Sequence, residues 1–331
     1  MEDGTAGIFS EGLIAVALRY PVEMRWRLNQ WVLSLGMVAL CAVAAGVIWR
    51  IRCAPVHIAS LAGYLPDDTS IIISMNVEAL RSRGVLETLV GQPGSEEPDY
   101  RLFVDTTGFD YRRDLDHVLL GFRGDTTYVL ASGRYDWDAM RRYAQQAGGT
   151  CNNSYCQMLA SEGGRHISFL PIRGGAIALA SGPSQWAAWD LSPERSPDLP
   201  EDWVKQPVLI SVSQDTILNG ERAPEGLRPW LRLLNGAQRL AVTVSADGVA
   251  GWQMQMRVRC ERPADSERIE TQLAAATTQL RNGSSSFGKL STPGSLASLL
   301  AGGTFSRTGT EVEGRWPVNM EFLEMLAGGK L

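Results

Sequence analysis

Four polar residues in one short run, Asp110, Asp114, Asp116 and His117, are the side chains best placed for chemistry. Closely spaced carboxylates can coordinate Ca²⁺, and a carboxylate beside a histidine can orient it as a general acid or base. The same run precedes an apolar stretch, and in that position aspartates commonly close turns or cap helices. We therefore favour a structural role for the cluster. An extracytoplasmic hydrolase or metal-dependent enzyme that uses these carboxylates near His117 is the alternative.

The spacing within the run gives a geometric expectation. In an extended chain Asp114 and Asp116 share one face, and His117 points to the opposite face. This arrangement argues against a catalytic pair formed by His117 and its immediate neighbour.

Other sequence signatures of catalysis and metal binding are absent from the sequence. It contains three histidines, His57, His117 and His166, and has neither an HExxH nor a CxxC motif. It also lacks the glycine-rich motifs that hold phosphates and the GxSxG motif of serine hydrolases. We therefore expect no catalytic residue, no bound cofactor and no metal site, and the chain is not expected to be an enzyme.

Two cysteines, Cys151 and Cys156, bracket the sequence NNSY. This spacing suits neither a zinc knuckle nor a redox motif, but a four-residue loop can bring two cysteines opposite each other on a hairpin. A disulfide there favours an oxidising, extracytoplasmic compartment. Two unrelated buried thiols are the open alternative.

The stretch from Trp31 to Trp49 carries no charge over nineteen residues. As a helix it is ~28 Å long, which matches the ~30 Å hydrocarbon core of a bilayer. Its terminal tryptophans and the following Arg50 and Arg52 suit the two membrane interfaces. The sequence therefore predicts a single membrane span. A buried soluble helix and a signal peptide cleaved near residues 42–44 are the alternatives.

Composition and charge restrict the function classes. The chain is 44% hydrophobic and 20% charged, with a net charge of −5, which is ordinary for a packed globular protein. Nucleic acid is a poor partner because the arginines are dispersed rather than clustered. Only three of the 31 basic residues are lysines, which indicates a GC-rich, bacterial genome.

The order of predicted elements divides the chain. Strand, helix, Gly-Asp or Asp-Gly hairpin, helix and further strands occur twice, separated by a proline-rich break. The predicted regions are a cytoplasmic tail 1–30, a membrane span 31–49, a connector 50–64, a first module 65–190, a linker 191–206 and a second module 207–331. Each module is expected to be an α+β unit of the split βαβ, ferredoxin-like type, with an antiparallel sheet.

One segment has a recognisable pattern. The sequence LPDDTSIIISMNVEALRSRGVLETL, followed by TGFDYRRDLDHVLLGF, resembles a group of uncharacterised bacterial single-pass or secreted proteins. They share an LPxD entry to a strand, a VxALR helix and a TGFD…DLD entry to the next strand. The resemblance covers residues 65–180. It implies a duplicated α+β extracytoplasmic domain and carries no known activity.

These observations predict a membrane-tethered binding or scaffolding protein, a non-catalytic subunit of a bacterial envelope complex. The expected location is the inner membrane, with the N-terminus cytoplasmic and the C-terminal portion periplasmic. The expected partners are the lipid bilayer, through residues 31–49, and another envelope protein.

Overall fold

The computed structural model describes residues 58–90, 98–160, 163–173, 175–193, 199, 203, 205–219, 228–247, 251–286, 296–319 and 321–323. The predicted tail, the predicted membrane span and the interface residues Trp31, Trp49, Arg50 and Arg52 lie outside these ranges. Within them, no helix has both the length and the apolar character that crossing a membrane requires.

The described residues have a mixed α/β fold. Their strands form one twelve-stranded antiparallel sheet. The strands of the first half are β1 Ile71–Asn76, β2 Leu115–Arg123, β3 Thr126–Gly133, β4 Thr150–Asn152, β5 Tyr155–Leu159, β6 His166–Ile172 and β7 Ala176–Gly182. Those of the second half are β8 Val208–Ser213, β9 Ala237–Asp247, β10 Gly251–Cys260, β11 Thr304–Thr308 and β12 Glu311–Val318. Their order across the sheet is β11-β12-β10-β9-β8-β1-β2-β3-β7-β6-β5-β4.

Helices connect these strands. They are α1 Ile58–Ala62, α2 Val77–Ser82, α3 Val85–Val90, α4 Pro98–Thr107, α5 Tyr111–Asp114, α6 Trp137–Gln146, α7 Gln214–Asn219, α8 Arg228–Leu233, α9 Pro263–Ser286 and α10 Leu296–Ala301. A 3₁₀ turn spans Ala187–Asp190. Helix α1 falls within the predicted connector, and its Leu61 is fully buried, so this part of the connector belongs to the folded domain.

The strand order corrects one sequence expectation. In a split βαβ unit a third strand lies between the two strands that the helix connects, but β1 and β2, which residues 77–114 connect, pair directly as antiparallel neighbours. After β1, residues 77–114 bring the chain back to the C-terminal end of that strand. There His117, near the start of β2, pairs with Asn76, the last residue of β1. Strand β2 therefore pairs directly with β1, and the ferredoxin-like arrangement does not form.

The two halves of the sheet meet at the antiparallel pair of β1 and β8. From this junction the first half runs β1-β2-β3-β7-β6, and the second half runs β8-β9-β10-β12-β11. The first half also carries an additional hairpin, β4–β5, at its outer edge. Strands from the two halves do not interleave, but they share one continuous sheet.

Helices cover both faces of the sheet. On one face, a core around Leu240, Val258 and Trp316 packs against Ile269 and Leu273 of α9. On the other face, a core around Leu119, Tyr128 and Leu130 packs against α1 and the 3₁₀ turn. Because alternate strand residues point to opposite faces, the apolar positions of each strand are divided between these cores.

Short polar signals in the sequence set several element boundaries. Asn76 caps α2 by accepting a hydrogen bond from the Ala79 N–H at 2.8 Å. Asp136 caps α6 in the same way, through the Asp138 and Ala139 N–H groups. Gly124, with a φ of +54°, turns the hairpin between β2 and β3, a backbone conformation that glycine adopts without strain.

The predicted linker 191–206 contributes buried residues. Leu191 and Trp203 are 7% and 4% exposed. Trp203 packs with Leu209 and Ala241, and the guanidinium carbon of Arg257 lies 4.6 Å from the centre of its ring. Parts of this segment are therefore fixed to the sheet. The division into two modules at this segment stays a prediction.

Candidate functional site

The acidic run predicted from the sequence forms a helical turn. Asp110 is the N-cap of α5, and its carboxylate accepts a hydrogen bond from the Arg112 N–H at 2.9 Å. The Tyr100 hydroxyl also donates to this carboxylate, at 3.2 Å. Asp110 therefore holds the start of a helix, which is the ordinary role of an aspartate at this position.

Asp114 is 7% exposed and ends the same turn. Its carboxylate accepts hydrogen bonds from the Asp110 N–H at 3.1 Å and from Arg113 at 2.7 Å, and Arg134 lies 3.6 Å away. The Arg113 hydrogen bond lowers the pKa of Asp114 below its ordinary value, against the opposing effect of burial. The carboxylate is thus held in its charged form by neighbours that close the turn.

Asp116 and His117 lie at the start of β2. The Asp116 side chain is 39% exposed and reaches Arg81 at 4.0 Å. His117 pairs in register with Asn76 on β1 and Ser132 on β3. The expectation that Asp114 and Asp116 share a face of extended chain is wrong, because the cap at Asp110 starts a helical turn that ends at Asp114. The two carboxylates belong to different elements.

Cys151 and Cys156 form a disulfide, with their Cα atoms 4.1 Å apart. They are directly opposite each other on β4 and β5, and residues 152–155 form the turn between them. Asn153 occupies a left-handed backbone conformation in this turn, with a φ of 54°. The spacing in the sequence and the pairing in the sheet therefore agree.

An apolar cavity of about 400 Å³ lies mainly in the second half of the sheet, between strands β1, β8–β10 and β12 and helices α7–α10. The described residues around it are almost all aliphatic or aromatic: Ile71, Ile210, Val212, Thr216, Leu231, Leu234, Leu240, Val242, Met254, Met256, Leu273, Leu296, Leu299, Leu300, Trp316 and Phe322. Its volume falls within the ~300–1,000 Å³ range of small-molecule sites.

Side-chain nitrogen or oxygen atoms come from only two of these described lining residues. The Thr216 hydroxyl lies 3.4 Å from the Ser213 hydroxyl, at the start of α7. The Trp316 indole N–H is buried and has no hydrogen-bond partner among the described residues. None of the described lining residues is charged. The described lining therefore suits an uncharged, apolar group.

The cavity reaches the surface near the middle of the sheet. Ile210 is 36% exposed although β8 is an interior strand, with β9 on one side and β1 on the other. Its neighbours on the same face, Ile71 and Val212, are also only partly buried and line the cavity. A ligand could therefore enter over β8 without the sheet opening.

A smaller hollow of about 270 Å³ shares Leu299 and Phe322 with the cavity. It differs in carrying polar side chains, Ser298 and Asn319. The Asn319 side-chain oxygen accepts a hydrogen bond from the Phe322 N–H at 3.0 Å. The smaller hollow therefore adjoins the cavity at Leu299 and Phe322 and has a more polar lining.

Sequence analysis missed this cavity. It identified the apolar strands, but an unfilled space depends on how far the helices stay from the sheet, and no local pattern records that distance. One local feature is consistent with unfilled space: in α9 three consecutive alanines, whose side chains are small, follow the buried Leu273. Among the described residues, no group of three or more histidine, cysteine or acidic side chains is arranged to hold a metal ion.

The comparisons with known proteins give only distant likenesses. No protein-family model and no curated protein sequence matches this chain. Among solved structures, crystal form III of TP0453 aligns over 81% of this chain and 97% of its own, with a TM-score of 0.46 and 9% identity. Crystal form IV of TP0453 aligns over 85% and 98%, with a TM-score of 0.44 and 11% identity.

Proposed function

We propose that this chain is a non-catalytic, membrane-tethered binding protein whose cavity takes an apolar ligand, such as an aliphatic chain. The observation that carries this proposal is the cavity of about 400 Å³ with no charged side chain among its described lining residues. Each methylene group removed from water contributes ~0.8 kcal/mol, so an aliphatic chain in this space is bound through its length rather than through polar contacts.

The lining residues support a ligand of variable shape. Met254 and Met256 project from β10 into the cavity, and unbranched methionine side chains adjust to different apolar partners. The smaller hollow, which shares Leu299 and Phe322 with the cavity and is lined in part by Ser298 and Asn319, would receive the polar end of an amphiphile whose chain occupies the cavity. The ligand class is therefore an uncharged or weakly polar molecule with one aliphatic chain.

The alternative of a hydrolase that uses the acidic run gains no support from the geometry. The Asp114 carboxylate is occupied by Arg113 and by the Asp110 N–H. A general base needs a free position within hydrogen-bond reach of a substrate. The structural role of these carboxylates supports binding over catalysis.

Membrane attachment through residues 31–49 and a periplasmic location for the folded domain belong to the same proposal. The Cys151–Cys156 disulfide supports an oxidising compartment. Within a bacterial envelope, the domain would present its ligand to another envelope protein. Release of the chain by alkaline extraction of membranes would contradict the tether.

We also propose that the two halves of the sheet arose by duplication. The support is the matching order of strands on either side of the β1–β8 pair. In the first half, Trp137 of α6 packs edge-on against Phe169 at 5.7 Å. In the second half, the 24-residue helix α9 covers the same face, and its Leu273 lines the cavity. The proposed ligand site thus lies mainly in the second half, and Ile71 is its lining residue from the first half.

Filling the cavity tests the binding proposal. Residues 55–331 form one compact unit, so a chain that begins at Pro55 can be studied without detergent. Val242 lines the cavity, and Val242→Phe places a ring in the unfilled space. We expect the affinity for N-phenyl-1-naphthylamine, an uncharged apolar fluorescent probe, to fall by at least about tenfold, equivalent to ~1.4 kcal/mol, with no loss of stability.

Val258→Phe is the matched control. Val258 lies on the same face and is fully buried in packed core, but it does not line the cavity. A larger side chain in a packed core typically costs ~1–3 kcal/mol. If Val242→Phe destabilises the domain as much as Val258→Phe, the cavity is not an open space. If it leaves probe binding unchanged, the ligand site is elsewhere and the proposal fails.

A further inference from the structure

Two tryptophans, Trp186 and Trp189, are exposed beside the sheet. Their exposed fractions are 50% and 63%, which is unusual for the largest apolar side chain. Both rings stack on Tyr155, with centroids 5.5 and 5.3 Å from its ring. Leu159, 61% exposed, lies four residues along the same strand as Tyr155 and therefore on the same face. We call Trp186, Trp189 and Leu159 the aromatic patch.

The patch is rigidly supported. Ala187 and Ala188, between the two tryptophans, are buried, and the Ala188 N–H donates to the Ser168 hydroxyl at 3.1 Å. The Tyr155 hydroxyl donates to the Gln185 carbonyl at 2.7 Å. The 3₁₀ turn therefore fixes its alanines in the core and directs residues 186 and 189, three apart, to one side. Such a surface is ordered before any partner binds.

The chain enters the folded domain next to this patch. Helix α1 begins at Ile58, and its Leu61 and Ala62 share a core with Ala187 and Ala188 of the 3₁₀ turn. The Ser192 N–H donates to the Tyr64 carbonyl at 3.2 Å and ties the two segments together. The first described helix after the predicted membrane span therefore lies on the same face of the sheet as the tryptophans.

We propose that the aromatic patch rests on the bilayer that holds residues 31–49, an inference that rests on the proposed membrane tether. Eight residues, 50–57, separate Trp49 from α1. At ~3.3–3.6 Å per residue they span at most ~29 Å. This short connection keeps the patch close to the membrane at a high effective concentration. Tryptophan favours the lipid headgroup region, where its ring is in apolar surroundings and its N–H remains hydrated.

The charges beside the patch indicate which lipids it needs. Arg123 pairs with Asp68 at 2.6 Å and with Asp190 at 3.5 Å, and the Tyr128 hydroxyl donates to Asp190 at 2.9 Å. The guanidinium is thus neutralised within the protein rather than presented to lipid phosphates. Docking is therefore apolar in character and proceeds on zwitterionic lipid without an anionic component.

Residue-resolved oxidation tests the docking. The full chain is placed in phosphatidylcholine nanodiscs at one copy per disc and exposed to hydroxyl radicals, and oxidation is measured by mass spectrometry. A variant with thirty Gly-Ser residues inserted after Arg52 provides the undocked reference. Because the interface covers most of each exposed indole, Trp186 and Trp189 should be oxidised at least about fivefold more slowly in the parent chain than in this reference.

Two substitutions supply the matched comparison. Trp189→Ser removes half of the aromatic contact, so Trp186 and Leu159 should lose their protection. Leu218→Ser removes an equally exposed side chain from α7, on the opposite face of the sheet, and should leave the protection unchanged. Loss of protection in both variants would indicate general unfolding rather than docking, and would overturn the assignment.

The remaining outcomes separate this inference from the tether on which it rests. A chain that resists alkaline extraction but shows equal oxidation of Trp186 and Trp189 in parent and reference retains its anchor and contradicts the docking alone. Extraction of the chain from the membrane by alkali contradicts both the tether and the docking. Protection that appears only in discs with two copies would assign the patch to a second copy of this chain, and not to lipid.

Discussion

Asp114 allows the most direct test of the hypothesis that the acidic run has a structural role. Its carboxylate accepts the Asp110 N–H and a hydrogen bond from Arg113, and it lies 3.6 Å from Arg134. Asp114→Asn keeps an oxygen for the Asp110 N–H but removes the charge. Asp114→Ala removes the acceptor as well. The pair of variants therefore separates the effect of charge from that of the hydrogen bond.

The expected magnitudes follow from the exposure of the partners. A hydrogen bond to a charged group contributes ~1.5–3 kcal/mol, but solvent screens a pair with an exposed member. The Arg113 side chain is 66% exposed and that of Asp114 only 10%. We expect Asp114→Asn to lower the free energy of unfolding by about 1 kcal/mol, and Asp114→Ala by about 2–3 kcal/mol because it leaves the Asp110 N–H without this acceptor.

The effect should depend on pH in a defined direction. The pKa of Asp114 is lowered in the folded protein, chiefly by the Arg113 hydrogen bond. The unfolded chain titrates near ~3.9, so the charged carboxylate stabilises the fold above that pH, and this contribution is lost as pH falls through the folded pKa. The stability difference between the parent chain and Asp114→Asn should be constant above pH ~5 and shrink below ~4.

Urea denaturation of the Pro55–Leu331 unit between pH 3 and 7 measures these differences. Asp116→Asn is the control, because the Asp116 side chain is 39% exposed and its ion pair with Arg81 is long, at 4.0 Å. Its effect should stay within ~0.5 kcal/mol. The reasoning fails if Asp114→Asn is as stable as the parent chain at pH 7. A stable variant that loses hydrolytic activity shown by the parent chain would favour catalysis over binding.

Two further predictions concern local structure. Reduction of the Cys151–Cys156 disulfide should lower the free energy of unfolding by about 2 kcal/mol, because the unfolded chain gains the entropy that closing a small loop removes. Dithiothreitol should not change the melting temperature of a Cys151→Ala/Cys156→Ala variant. An equal response of that variant would assign the effect to another group. Asp136→Ala should lower the free energy of unfolding by about 1 kcal/mol, because α6 loses the acceptor for its Asp138 and Ala139 N–H groups. Asp136→Asn keeps an acceptor and should lower it by only a few tenths of a kcal/mol. Equal shifts in melting temperature for both variants would argue against capping.

Local features of the fold were predictable because their causes are local. Asn76 and Asp136 cap helices, the usual role of Asn and Asp before a helix, and Gly124 turns the first of the Gly-Asp hairpins noted in the sequence. Each feature depends on one side chain and a backbone group a few residues away. The same holds for the short loop between Cys151 and Cys156.

The acidic run was predicted in part. Its capping role could be inferred from residue type, but the assumption of extended chain at Asp114 was wrong. A cap at Asp110 can start a helical turn or an open turn, and the choice depends on the contact of Asp114 with Arg134, at the end of the β2–β3 hairpin. Competition between local conformations of similar free energy is decided by such distant contacts.

Sequence alone determined the alternation of apolar residues, the helix caps, the hairpin turns and the disulfide spacing. Tertiary structure decided that β1 and β8 join both halves into one sheet, that a cavity remains beneath α7–α10, and that Trp186 and Trp189 face outward while the alanines between them are buried. These features arise from residues far apart in the chain. Strand partners, unfilled volume and the exposure of a ring depend on how whole elements pack, and no short stretch of sequence contains that information.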